Sequence, residues 1–136
     1  MAKKIKGKKI IIGVVLVVII LSVIFFFGIK SGEEYNREEV DNFAKCLTEK
    51  GAVMYGAFWC PHCARTKKKF GESFQFINYV ECDPRGENEQ SLLCLDKKID
   101  SYDTWEFNDD YDSRLIGEPS FEALASSTGC VLPRKK

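Results

Sequence analysis

The chain is expected to be an α/β protein, a central mixed sheet with helices on both faces, preceded by one N-terminal transmembrane helix. Three observations carry this expectation. Short apolar, strand-like runs alternate with stretches of helical periodicity through residues 36–130. Two adjacent late runs read as a hairpin. Residues 10–29 form an apolar run without a charge. Strands that alternate with helices and end in a hairpin build a mixed sheet that must be covered on both sides.

Residues 1–9 hold Lys3, Lys4, Lys6, Lys8 and Lys9 and no acid, and read as a basic cytoplasmic tail. The run over 10–29, at about 1.5 Å per helical residue, matches a bilayer core of roughly 30 Å. Positive flanks stay inside, so the remainder is expected outside the cytoplasm, on a single-pass protein of the cell membrane. A cleaved signal is disfavoured: the run is long for one, and no small-x-small site follows it in Phe27-Gly28-Ile29-Lys30-Ser31-Gly32. Residues 30–35 read as a linker, 36–130 as one domain and 131–136 as a basic C-terminal tail. Residues 31–136 carry 14 basic and all 20 acidic side chains, a net −6, which argues against nucleic acid as a partner.

Within the domain, Asn36 caps a first helix whose apolar positions are Val40, Phe43, Ala44 and Leu47, and Gly51 stops it. Ala52 to Phe58 reads as a buried strand. Cys60 to Phe70 reads as a helix with a solvated face of Arg65, Lys67, Lys68 and Lys69. Phe76 to Cys82 reads as a second strand and Asp83-Pro84-Arg85-Gly86 as a turn. Glu87 to Lys98 is expected to be a helix with Leu92, Leu93 and Leu95 in its core stripe. Thr104 to Asn108 and a segment near Tyr111 form the hairpin about Asn108-Asp109-Asp110. Those aspartates, with Asp112, read as an acidic turn rather than metal ligands. Glu118-Pro119 opens the last helix, with Phe121, Leu124 and Ala125 inward and Gly129 at its end.

All six cysteines lie in the part expected outside, where an even number reads as disulfides. Trp59-Cys60-Pro61-His62-Cys63 sits between a strand and a helix. A helix start favours a thiolate, so Cys60 is the candidate nucleophile and Cys63 the candidate resolving thiol, the pair being the expected catalytic residues. Two other readings stay open: an inert bridge, or half a zinc site completed by Cys82 and Cys94. Zinc ribbons usually supply a second close pair, which these two are not, so no metal is expected. His62, the sole histidine, could place positive charge and an N–H near the Cys60 sulfur. Pro61 and Trp59 complete the set expected to tune the pair, and Trp59 with Phe58 offers an apolar docking rim, although Phe58 reads equally well as sheet-end core.

The element order and four separated blocks resemble a thioredoxin fold, and within it the thioredoxin-like domain associated with vitamin K epoxide reductase homologues. The blocks are Tyr55-Gly56-Ala57-Phe58-Trp59-Cys60-Pro61-His62-Cys63, Lys69-Phe70-Gly71, Tyr79-Val80-Glu81-Cys82-Asp83 and Thr104-Trp105-Glu106. The likeness runs from about Phe43 to Ser127. The Cys-Pro-His-Cys wording is similar to that of strongly oxidising DsbA-type proteins. The resemblance implies an extracytoplasmic carrier that introduces disulfides into secreted proteins with thiols. It implies reoxidation by a quinone-linked membrane partner and no bound cofactor on this chain. It also implies that Cys82 and Cys94 form a second, structural disulfide. Cys46 and Cys130 are left to pair with each other, to stay free or to bridge between chains.

Two departures from the family pattern matter. Asp103, before Thr104, stands where a cis-proline usually faces the cysteine pair. A non-proline residue disfavours a cis peptide, so this loop is expected to be trans or strained. A carboxylate there would also oppose thiolate formation. Met54 stands where thioredoxins bury an acid, so proton transfer needs another group or water. A tethered reductant or isomerase and a non-enzymatic binding module remain as alternative functions.

Overall fold

The computed structural model describes residues 12–22 and 35–136. The chain divides into two compact units, Met1–Glu34 and Tyr35–Lys136. In the first, residues 12–22 are helical (α1) and exposed. Among the described residues no helix is long and apolar enough to cross a membrane. The rest of the 10–29 run, the tail over 1–9 and the linker up to residue 34 lie outside the described residues.

In the second unit, α2 (Arg37–Glu49) starts where the Asn36 side chain accepts the Glu38 N–H at 3.0 Å, with Glu38 and Glu39 in its first turn. It buries Val40, Phe43, Ala44 and Leu47, as their spacing dictates. β1 (Ala52–Gly56), α3 (Pro61–Phe70), a 3₁₀ turn (Gly71–Phe76) and β2 (Tyr79–Glu81) follow. Then come α4 (Ser91–Asp96), β3 (Thr104–Phe107), β4 (Asp110–Ile116) and α5 (Phe121–Thr128). The sheet runs β2-β1-β3-β4. β1 pairs parallel with β2 and antiparallel with β3, and β3 pairs antiparallel with β4. This four-stranded mixed sheet with helices is the α/β architecture expected, and it is compatible with a thioredoxin fold.

Alternation along β1 sends Ala52 and Met54 to one face and Val53 and Tyr55 to the other. The first face packs with Phe43, Leu47, Phe70, Trp105, Phe107, Phe121 and Leu124 into the main core. The second packs with Val80, Cys82, Cys94 and Ile99 into a smaller one. Helices α2, α3 and α5 thus supply one layer and α4 the other.

Several expected boundaries move. β1 stops at Gly56, leaving Phe58 outside the strand. The segment before β2 is 3₁₀ helix through Phe76, so β2 is three residues long. α4 spans six residues rather than Glu87 to Lys98, and its leucines are not core: Leu92 and Leu95 are 80% and 72% exposed. So short a helix has one inward position, and Cys94 holds it. α5 starts after Pro119, at Phe121, and is capped by Ser120, whose hydroxyl accepts the Ala123 N–H at 3.2 Å. The hairpin turns at Asn108 and Asp109, both with positive φ (53° and 62°), as a two-residue turn of matching twist requires.

Two disulfides close this unit, Cys46–Cys130 and Cys82–Cys94. Residues 131–136 run back along α2: Tyr35 bridges Lys135, and the Arg134 backbone N–H donates to Glu39 at 2.8 Å.

Candidate functional site

The remaining two cysteines, Cys60 and Cys63, are free and buried, at the start of α3. Cys60 is the N-cap of that helix, and Pro61 follows at a position where its missing N–H costs no hydrogen bond. The Cys60 sulfur accepts the Cys63 backbone N–H at 3.3 Å. An N–H group and the positive end of the helix dipole are therefore directed at that sulfur. Cys63 lies one turn deeper. Burial pushes its thiol up, and the hydrogen bond with Cys60 and the charges of Cys60 and Asp103 push in the same direction. The two thiols thus differ in environment: the Cys60 sulfur caps a helix terminus, while Cys63 lies within reach of the Asp103 charge.

The floor of the site is Gly56. A Cβ there would stand 2.8 Å from Cys63 Sγ and 3.0 Å from the Tyr79 ring. The Tyr79 hydroxyl donates to Glu81 Oε2 at 2.7 Å, while Glu81 Oε1 accepts the N–H groups of Phe58 (3.2 Å) and Asp83 (3.0 Å). This buried carboxylate ties the loop leading into Cys60 to the end of β2. Beside it Phe58, Lys67, Tyr79, Glu81, Arg85 and Gly86 line a cavity of about 400 Å³.

Phe58 and Trp59 are 55% and 53% exposed, so Phe58 belongs to the rim and not to the core. Trp59 is oriented: its indole Nε1 donates to Asp83 Oδ2 at 2.6 Å, and its ring meets Tyr102 edge-on at 6.0 Å. Asp83 is gripped in turn by Arg85 through Nε (2.9 Å) and Nη2 (2.8 Å). The Arg85 and Trp59 hydrogen bonds hold the Asp83 carboxyl well below the usual carboxylate range.

The loop opposite carries Asp103. Its preceding peptide, Tyr102–Asp103, is cis, so the trans form expected for a non-proline residue is not the one adopted. The surroundings fix the carboxylate: Thr66 donates to Asp103 Oδ2 at 2.6 Å, and the Asp103 carbonyl accepts the Gly117 N–H at 2.8 Å. Asp103 is fully buried, and its Oδ1 has no hydrogen-bond partner among the described residues. Burial pushes this carboxyl up, and the Thr66 hydroxyl only partly offsets it. Thr104 is buried and donates its hydroxyl to the Ser101 carbonyl at 2.8 Å.

His62 is exposed, and its Nδ1 lies 2.8 Å from Arg65 Nη2. An arginine N–H can only donate, so Nδ1 is the acceptor of this contact. Arg65 also reaches Glu118 at 2.6 Å. The basic face of α3 is less solvated than expected: Lys69 donates to the Pro119 carbonyl at 2.9 Å, and Lys67 stands 3.9 Å over the Tyr79 ring.

The structure therefore brings together Trp59, Cys60, Pro61, His62, Cys63 and Asp103. The other four cysteines form the two disulfides, Cys46–Cys130 joining α2 to the segment after α5. Sequence reasoning passed over Thr66, Tyr79, Glu81 and Asp83. The turn residue Asp83 and the strand residue Glu81 carried one available signal, two acids flanking a cysteine in an otherwise apolar run. Among the described residues no group of three or more His, Cys, Asp or Glu side chains could hold a metal ion.

No protein-family model matches the chain. Over 93 residues it is 43% identical to the thiol-disulfide oxidoreductase LTO1 of Arabidopsis thaliana, a match covering 65% of this chain and 24% of that protein. The chain thus spans about a quarter of that relative's length.

Proposed function

We propose that the chain is a protein thiol–disulfide oxidoreductase whose working pair is Cys60 and Cys63. The observation that carries this reading is the Cys60 sulfur capping α3 at 3.3 Å from the Cys63 N–H, while the other four cysteines are paired. The similarity to a thiol–disulfide oxidoreductase supports it.

In the oxidised protein a substrate thiolate attacks Cys60 Sγ. The S–S bond to Cys63 breaks, and Cys63 leaves with the electron pair. A second substrate thiolate then attacks the substrate sulfur of the mixed disulfide, releasing the oxidised substrate and the Cys60 thiolate. Two electrons have moved from substrate to the pair. Phe58 and Trp59 form the apolar rim against which the substrate backbone docks.

We further propose the finer setting. Residues 10–29 anchor the chain in the cell membrane, with the domain extracytoplasmic, its substrates secreted proteins, and a quinone-linked membrane enzyme resembling vitamin K epoxide reductase as its oxidant. What supports this setting is the uncharged apolar run behind a lysine-only flank and the likeness of the sequence blocks.

The test is the reduction potential of the Cys60–Cys63 pair in the full chain, held in detergent, with Cys60→Ser and Cys63→Ser as companions. A potential of about −120 to −180 mV supports the oxidising direction, and one of roughly −270 mV or below reverses it. Cys63→Ser should trap mixed disulfides on Cys60, and Cys60→Ser should trap none. Equal trapping by both variants contradicts the assignment of roles.

A further inference from the structure

Cys63 must lose its proton each time it closes the disulfide and regain one each time the disulfide opens. It is buried, so the proton needs a partner inside the fold. Two buried carboxylates lie near it. Glu81 is the more fully engaged: Oε1 accepts the Phe58 and Asp83 N–H groups and Oε2 the Tyr79 hydroxyl, three of a carboxylate's roughly four acceptor positions. Asp103 differs. Its Oδ2 accepts the Thr66 hydroxyl, while Oδ1 is buried with no hydrogen-bond partner among the described residues. Thr66 and Cys63 are both buried and three residues apart on α3, hence on one face of the helix, and the carboxylate that Thr66 holds is near enough for its charge to act on the Cys63 thiol.

We propose that Asp103 is the proton acceptor and donor of Cys63, a catalytic residue of the exchange reaction; this rests on the reading of the pair given above. When the reduced pair is reoxidised, Cys60 thiolate first attacks a sulfur of the partner disulfide and expels one partner thiolate. The Cys63 proton passes to Asp103 Oδ1. The Cys63 thiolate attacks Cys60 Sγ, the Cys60–Cys63 bond forms, and the second partner thiolate leaves with the electron pair. When a substrate opens the disulfide, the same carboxylic acid returns its proton to departing Cys63. The carboxyl is suited to both directions because burial holds it above the usual aspartate range while burial also raises the thiol. The other titratable groups acting on Asp103 are His62 from α3, which favours its ionised form, and Glu118 ahead of α5, which opposes it.

The test uses the full chain in detergent, with the Cys60–Cys63 pair reduced, mixed with dithiobis(nitrobenzoic acid) in a stopped-flow instrument. Attack by Cys60 releases one nitrobenzoate thiolate at a rate proportional to reagent. Closure by Cys63 releases the second at a rate independent of it. Asp103→Asn should slow the second release about a hundredfold at neutral pH and remove the low-pH plateau from its pH profile. Asp103→Glu should restore a plateau. An unchanged or faster second release in Asp103→Asn, which loss of a negative charge alone would give, overturns the proposal and leaves the exchange reading standing. If the wild-type chain gives no first release, the exchange reading itself fails. Should Asp103→Asn not fold, Thr66→Val serves: without the hydroxyl the carboxylate is less favoured, so the acid limb of the second release must move to higher pH, and an unmoved limb counts against Asp103.

Discussion

Gly56 is set by how near it lies to Cys63. Its hydrogen is all that fits between the β1 backbone and the Cys63 sulfur, since a Cβ would stand at 2.8 Å. Gly56→Ala should therefore cost about 1–3 kcal/mol through overpacking and displace the Cys63 sulfur from its line to Cys60. Thermal melts and the rate of disulfide closure would check this, and a variant with wild-type values in both would show that the strand yields. Gly86 has the same relation to Glu81, whose Cγ would lie 2.4 Å from an added Cβ. Neither glycine stands out in the sequence, because close approach is a property of what lies opposite in space. The cysteine pair was legible for the contrary reason: strand, two thiols and helix start adjoin along the chain, so spacing alone implies the geometry at Cys60. Asp103 was legible as a position but not as an environment, since Thr66, which fixes it, sits 37 residues away.

The elements held up where local chemistry decides them and shifted where tertiary contacts do. The capped, amphipathic α2 and the Asn108-Asp109 hairpin follow from side-chain spacing and turn chemistry. The leucines of α4 misled because their spacing fits a helix face, yet the buried position of this short helix is Cys94. β3 presents a different case, a buried acid within a strand. Glu106 is 2% exposed and is met by Lys97 (3.0 Å) and Arg114 (2.5 Å), which tie β3 to β4 and to the end of α4. Burial pushes the Glu106 carboxyl up, but the hydrogen bonds from Arg114 and Lys97 outweigh it and hold the group below its ordinary 4.5. A depressed carboxyl stabilises the fold above its unfolded pKa, and that contribution fades as pH falls through the folded value. Glu106→Gln should cost about 3 kcal/mol at neutral pH, because two cations lose their counter-charge. The gap from wild type should narrow below about pH 4.5. Urea titrations at neutral and acid pH would measure both, and a pH-independent gap would make the loss one of packing.

At the scale of the whole unit, the two disulfides act over different distances. Cys82–Cys94 closes a separation of 12 residues around the loop between β2 and α4, and Cys46–Cys130 closes one of 84. By loop-closure entropy the first is worth about 3 kcal/mol and the second about 4–5. Paired serine substitutions should follow that order in denaturant midpoints, and a reversed order would mean that the loops retain structure when unfolded. The sequence left Cys46 and Cys130 undecided because no local pattern links residues so distant. Their meeting depends on α5 returning the chain to α2, which is visible only once the sheet order is known.

The longer bridge also makes most of the domain a covalent ring. Every described strand, the Cys60–Cys63 pair and the exposed Asn108-Asp109 turn lie between its two ends. A protease that nicks that turn cuts the backbone without separating the halves, which stay joined through sulfur. The nicked protein keeps the mass of the intact one, apart from an added water, until it meets a reductant strong enough to open Cys46–Cys130. Such damage would stay hidden in an oxidising compartment and become separation into fragments in a reducing one.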